Sequence, residues 1–289
     1  MTLNFIALLP ILAGFLGLAI PWAINASSVN NRSPLDVMTF NIRYGTAPDG
    51  ENRWEVRRPR TIEAIRRHPS ATIGLQEALA GQIEEIAAVL PQYEAVGVGR
   101  DDGKTGGEHS AILYDRTRLR LLRSDTFWLS DTPSVVASAT WGNRITRICT
   151  WAFFRDRRSG RCFYHFNAHL DHESQPSRER SAALILRRIA ERGTDDPVVL
   201  TGDFNVGEGN PVVGAVKAGG YRDSFRVAHP DEKSVGTFNG WHPELGVEKI
   251  DYIFVDPKTE VTGAEIVRDR FDGHWPSDHA PVVARLILP

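Results

Sequence analysis

From Leu35 to the carboxy end, apolar runs of strand length keep alternating with helix-patterned stretches, and no Pro-, Gly- or Ser-rich linker and no internal repeat interrupts them. A sheet hides its apolar face only against another layer, so this many runs predict sheets packed on one another with helices outside. Strands are expected at 35–42, 71–76, 93–97, 110–114, 120–129, 146–155, 162–170, 198–201, 250–255, 261–267 and 281–288. Helices are expected at 59–67, 80–90, 177–192 and 210–218. Pro59 suits a first helical turn, and Ile83, Ile86, Ala87 and Leu90 share one face of the second helix. Short turns between neighbouring strands predict sheets that are mixed or largely antiparallel.

The chain has 289 residues, 42% hydrophobic and 24% charged, which fits an ordinary globular domain and excludes disordered and disulfide-scaffold classes. A net charge of −2 provides no global basic field for nonspecific nucleic-acid binding, so a polyanion would have to be gripped locally. Residues 3–24 carry no ionisable side chain, and small residues around Ala26 offer a cleavage site. The expected organisation is a signal peptide or membrane anchor over 1–26, a short linker over 27–34 and one folded domain over 35–289, placed outside the cytoplasm. Association with a membrane would run through residues 3–24, no partner protein is called for, and a monomer is expected. Cys149 and Cys162 fall about five residues apart along paired strands, ~17 Å, too far for a disulfide. Two free, buried thiols are expected.

Several strands end in polar side chains suited to chemistry. In the run Cys162–Asp171, period two puts Tyr164, Phe166, Ala168 and Leu170 on one face and His165, Asn167, His169 and Asp171 on the other. The apolar strand before Asp203 ends with Asp203 and Asn205 on one side. Asp251 opens an apolar strand, where a buried carboxylate needs a cation or a histidine. His279, beside Asp278, can serve as that histidine. Asn41 and Glu77 finish two more apolar strands, and Glu77 is a hard-oxygen ligand of the kind Mg2+ accepts.

In order, FNIR at 40–43, QE at 76–77, NAHLDH at 167–172, GDFN at 202–205, IDYIF at 250–254 and SDHAP at 277–281 resemble the endonuclease/exonuclease/phosphatase superfamily, whose members include deoxyribonuclease I, apurinic endonucleases, bacterial sphingomyelinases and inositol polyphosphate phosphatases. The resemblance covers roughly residues 35–288 and implies a four-layer α/β/β/α sandwich with a divalent-metal site at one edge. It implies Glu77 as principal metal ligand, with Asn41 adjoining and Asp278 as a further contributor, and Mg2+ or Mn2+ as the cofactor. Asp203 and Asn205 are implied to position the attacking water, and His169 and His279 to flank the phosphorus, the latter oriented by Asp251. Glu108 matches the acid that supports the first histidine in deoxyribonuclease I. Arg43, Arg144 and Arg147 are candidates for contacting substrate phosphates. Arg43 and His169 depart from the apurinic enzymes, which disfavours DNA repair. The implied activity is in-line hydrolysis of a phosphate ester, with nucleic acid, nucleotide, phospholipid headgroup and sugar or inositol phosphate all open as substrates. Two rivals remain at this point. One is a silent binding module on the same sandwich; the other is a zinc hydrolase built on 167–172, which lacks a first histidine ligand. Trp128, Trp141, Trp241 and Trp275 are expected either to stack on a ligand or to pack in the core.

Overall fold

The computed structural model describes residues 1–2 and 32–289, so the apolar segment and most of the linker lie outside the described residues. Twelve strands form two six-stranded sheets. The first has the order β11 (Glu260–Ile266), β12 (Val282–Ile287), β1 (Leu35–Asn41), β2 (Thr72–Gln76), β4 (Ile112–Asp115), β3 (Tyr93–Val96). The second has the order β5 (Leu119–Trp128), β6 (Ile148–Asp156), β7 (Cys162–His169), β8 (Val198–Asp203), β10 (Asp251–Val255), β9 (Arg222–Asp223). Each sheet is antiparallel apart from one parallel pair, β1 with β2 and β7 with β8. Helices α1 (Trp54–Arg67) and α2 (Ala80–Val89) cover the first sheet, where Ile62, Ile65 and Ile86 meet Met38, Phe40, Ile73 and Leu75. Helices α3 (Gln175–Ala190) and α4 (Pro211–Ala218) cover the second, where Leu184, Ile185 and Val213 meet Tyr164, Phe166 and Leu200. The expected two stacked sheets with outer helices are therefore present.

Several boundaries differ from the sequence reading. Helix α1 starts at Trp54, which leaves Pro59 inside it. The missing N–H costs a backbone bond, yet burial of Trp54 with Ile62 and Ile65 holds the extra turn. Helix α3 starts at Gln175 because Ser174 caps it, its Oγ accepting from the Ser177 N–H at 3.3 Å. The turn after β6 closes with the Asp156 N–H on the Arg161 carbonyl, so Arg155 faces Cys162 and Cys149 lies opposite Ala168, not Asn167. Both thiols are free as expected, although Cys162 is only half-buried. Strand β9 and the one-turn helix α5 (Ser224–Ala228) were not anticipated; both are too short for a periodic signal.

The space between the sheets changes character along the strands. At the start of β1, Leu35 and Val37 pack with Phe154, Phe163, Val199 and Ile253. One step further the interface is a buried polar ladder. His165 pairs with Thr72 Oγ1 through Nδ1 (2.8 Å) and with Thr201 Oγ1 through Nε2 (2.7 Å). Asn167 Oδ1 accepts from Gln76 Nε2 (2.7 Å) and Thr201 Oγ1 (3.0 Å), and its Nδ2 donates to the carbonyls of Leu75 and Ala111. Gly74 lets these side chains approach, since a Cβ there would stand 2.2 Å from Thr201 Oγ1 and 2.5 Å from Asn167 Oδ1. The polar row read on β7 is thus split: His165 and Asn167 join the sheets, and only beyond them does the strand bring His169 beside Asp203.

Candidate active site

Strand register assembles the site. Parallel pairing sets Asn41 beside Gln76, which precedes Glu77, and sets His169 beside Asp203; antiparallel pairing sets Asp203 opposite Asp251. His279 arrives from the turn before β12, bridged through its backbone to Phe238. The chain bends sharply as it leaves the strands, with Arg43, Glu77 and Asn205 all at positive φ (54°, 59° and 53°), a conformation that costs about 1 kcal/mol or more for a non-glycine residue.

Asp203 is the hub. Its Oδ2 accepts from Asn41 Nδ2 at 3.0 Å and stands 3.5 Å from His169 Nε2 and 3.8 Å from His279 Nε2, while its Oδ1 accepts from the Asn205 N–H at 2.9 Å. Asn41 Nδ2 also reaches Glu77 Oε1 at 3.0 Å, so one amide nitrogen joins the carboxylates of the two sheets. Glu77 Oε2 accepts from the Tyr44 N–H (3.2 Å). His279 Nδ1 pairs with Asp251 Oδ2 at 2.9 Å, the partner that a buried Asp251 required. Asn205 Nδ2 donates to the Leu170 carbonyl (2.9 Å) and to His169 Nε2 (3.0 Å), which leaves the proton of His169 on Nδ1, a buried atom with no partner.

The two imidazoles have opposite environments. Burial disfavours charge on His279, but Asp251 and Asp203 overcome this and hold its pKa well above the ordinary value. Burial, then the positive charges of Arg147 and Arg100, push that of His169 well below it. Burial next to Asp251 lifts the Asp203 carboxyl to about 7, and burial also raises Asp278. Carboxylate is thus in excess here. Asp251 Oδ1 is buried without a partner, and one oxygen each from Asp203 and Asp251 with a His279 nitrogen lie within 4.8 Å of one another. With Glu77, Asn41 and Asp278 beside them, this donor set fits a hard divalent cation, which favours oxygen ligands and compensates buried negative charge.

Other candidates are placed differently. Asp278 is buried next to Ser277, whose Oγ donates to the Asn41 carbonyl (2.7 Å), and its Oδ2 lies 3.7 Å from Arg43 Nε. Glu108 does not pair with His169: both its oxygens are taken by Arg100, at 2.7 and 2.8 Å. It does line a small cavity with Arg100, Arg147 and His169. Arg144 is turned to solvent and paired with Glu173. Arg147 is buried behind His169, with Nε 3.5 Å from Asp171 and Nη2 2.9 Å from His172. Arg43 is clamped by Asp49, through Nε and Nη2 at 3.0 Å each. Trp128, Trp141 and Trp275 are buried and Trp241 half-buried, so most of these tryptophans pack within the fold. Segment 167–172 builds no zinc cluster, because Asn167 is held between the sheets and His172 by Arg147. The sequence reading missed Asp49, Arg57, Ser277 and Phe238. Arg57 is fully buried and donates to the carbonyls of Ile42 (2.5 Å) and Arg43 (2.6 Å). Phe238 is exposed and sets its ring against His279, centroids 4.9 Å apart. Ser277, inside SDHAP, carried a signal as a hydroxyl between a strand end and an acid; Asp49 carried none.

Two sheets that converge on carboxylates, amides and imidazoles at one rim define a phosphohydrolase of the deoxyribonuclease I-like class. Residues 38–279 match the model of the Endonuclease/Exonuclease/phosphatase family, and the chain belongs to that family. A family structure from Bacteroides vulgatus superposes with TM-score 0.82 at 35% identity, covering 89% of this chain and all of that one (100%). A mannosyl-6-phosphatase from Bacteroides thetaiotaomicron has TM-score 0.82 and 35% identity, over 88% of this chain and 99% of that chain. An uncharacterized protein of Acanthamoeba polyphaga mimivirus is 28% identical over 182 residues, 59% of this chain and 67% of the relative.

Proposed function

We propose that this chain is an exported hydrolase of phosphate esters that depends on a divalent cation, and that its substrate class is the phosphorylated sugar. The observation that carries the reading is the meeting of Glu77, Asn41, Asp203, His169 and His279 around one point. The sugar phosphate follows from the 35% identity to a mannosyl-6-phosphatase over nearly the whole domain, and from a charge balance that lacks a basic field for polymeric nucleic acid. Export rests on the apolar, uncharged segment 3–24. No helix among the described residues is long and apolar enough to cross a membrane.

A bound Mg2+ or Mn2+, held by Glu77 with Asn41 and Asp278 beside it, would compensate charge on the phosphate oxygens. Asp251 fixes the His279 ring so that Nε2 faces Asp203, where it can donate to a phosphate oxygen or the departing alkoxide. Asn205, anchored on the Leu170 carbonyl, holds Nε2 of His169 on the other flank. Asp203, between the two imidazoles, can orient a water on the line of attack. The test is turnover of mannose 6-phosphate, p-nitrophenyl phosphate, bis-nitrophenyl phosphate and DNA, with Mg2+, Mn2+ or a chelator. Asp203→Asn is expected to lower the turnover of whichever ester is cleaved by roughly 10²- to 10⁴-fold. Turnover undiminished by the chelator or by this substitution would refute the assignment.

A further inference from the structure

We propose that Asp49 is a positioning residue of the cation site, which keeps the Arg43 guanidinium beside Glu77 and Asp278 instead of on them; this rests on the cation-dependent reading above. Three carboxylates surround that guanidinium. Asp49 engages it as a fork, Oδ2 to Nε and Oδ1 to Nη2 at 3.0 Å each. Glu77 Oε2 stands off at 3.9 Å from Nη1 and Asp278 Oδ2 at 3.7 Å from Nε. The two acids suited to a cation are thus left just outside hydrogen-bonding range of the internal positive charge.

A second observation singles out Asp49. It occupies the N-cap position of the 3-10 helix Gly50–Asn52, where an aspartate ordinarily accepts from backbone N–H groups, yet its side chain makes no cap hydrogen bond. Its carboxylate, 7% exposed, is spent on Arg43. Meanwhile the Arg43 backbone is immobilised. Its N–H donates to Asn41 Oδ1 (3.0 Å), and its carbonyl accepts from Arg57 Nη2 (2.6 Å) and Gln82 Nε2 (3.0 Å). Only side-chain torsions remain free. Without the Asp49 fork, a shift of about 1 Å brings the guanidinium into hydrogen-bond distance of Glu77 and Asp278. Tightening such a pair from ~3.8 to ~2.8 Å at an effective dielectric of about 20 strengthens it enough to weaken a competing cation on the order of tenfold.

The experiment is Mn2+ binding to the full chain by titration calorimetry, for wild type, Asp49→Asn, Arg43→Met and the double variant. Asp49→Asn is expected to weaken binding about tenfold with Arg43 present, and less than about threefold in the Arg43→Met background, because the competing guanidinium is then gone. Asp49→Ser, whose hydroxyl is free to cap the 3-10 helix as the Asp49 carboxylate does not, is read in the same cycle should Asp49→Asn fail to fold. An equal loss in both backgrounds would reduce Asp49 to a nearby charge, and no loss in either would deny it any role; both overturn the inference. A wild-type chain that binds neither Mn2+ nor Mg2+ would instead remove the cation reading itself, and this inference with it.

Discussion

Replacing Gly74 by alanine tests the idea that a polar ladder, not an apolar seam, joins the sheets just behind the candidate site. The new Cβ would stand 2.2 Å from Thr201 Oγ1, 2.5 Å from Asn167 Oδ1 and 2.8 Å from Asn167 Cγ, none of which a real carbon tolerates. Overpacking a tight interior costs about 1–3 kcal/mol. If Asn167 yields, the carbonyls of Leu75 and Ala111 lose its amide donor and Gln76 Nε2 loses one of the three acceptors it shares among Asn167, Thr39 and the Gly74 carbonyl, and each buried hydrogen bond lost adds about 0.5–1.5 kcal/mol. A loss of roughly 3–5 kcal/mol follows, or about 6–20 °C in melting temperature at some 2–4 °C per kcal/mol for a domain of this size. Thermal unfolding by circular dichroism in chelator measures it without interference from bound metal. Adding Thr201→Ala removes the nearest clashing atom, so the pair should lose less than the sum of the single changes, by about 1 kcal/mol or more. A Gly74→Ala protein that melts within about 2 °C of wild type would show that the sheets do not meet as described.

Two further outcomes follow from named residues. Burial holds His165 down to about 3 in the folded state, against 6.5 for the free side chain; the native form therefore binds fewer protons, and its stability is full above about pH 6.5 and falls as pH drops toward 3. Urea unfolding in chelator should show wild type losing roughly 2 kcal/mol more than His165→Gln between pH 7 and 5, and equal pH slopes would contradict it. Arg144 is 79% exposed and committed to Glu173, so Arg144→Ala should leave kcat/KM for the cleaved ester within about twofold, its pair being worth under ~1 kcal/mol.

The elements visible in the sequence were those whose information is local and periodic. Alternation along β7 separated Tyr164 and Phe166, packed under α3, from His169 beside Asp203. The cost of a buried charge at Asp251 required a partner, and His279 meets it at 2.9 Å. What stayed hidden depended on loop paths without period. Arg100 takes the carboxylate of Glu108 because residues 99–107 fold back on themselves, the Gly99 N–H on the Lys104 carbonyl and the Asp101 N–H on the Gly106 carbonyl. No spacing rule encodes that turn, so Glu108 read as a support for His169. His165 and Asn167 matched a catalytic row equally well by alternation; only the proximity of the other sheet, through Gly74, makes them mortar between layers. Arg57 was hidden by Pro59, which marked the helix start a turn and a half too late.

The direction of β1 has a consequence for anything attached to this domain. The strand leaves the apolar pole at Leu35 and reaches Glu77 and Asp203 only at Asn41, about 20 Å on, and antiparallel pairing of Leu35 with Leu286 returns the carboxy-terminal strand to that same pole. The first and last strands of the described domain therefore meet at the rear of the molecule. A tether, tag or fused module joined next to Leu35 or Ile287 would hold the domain by its back, with the rim that carries Asp203 and His279 turned outward.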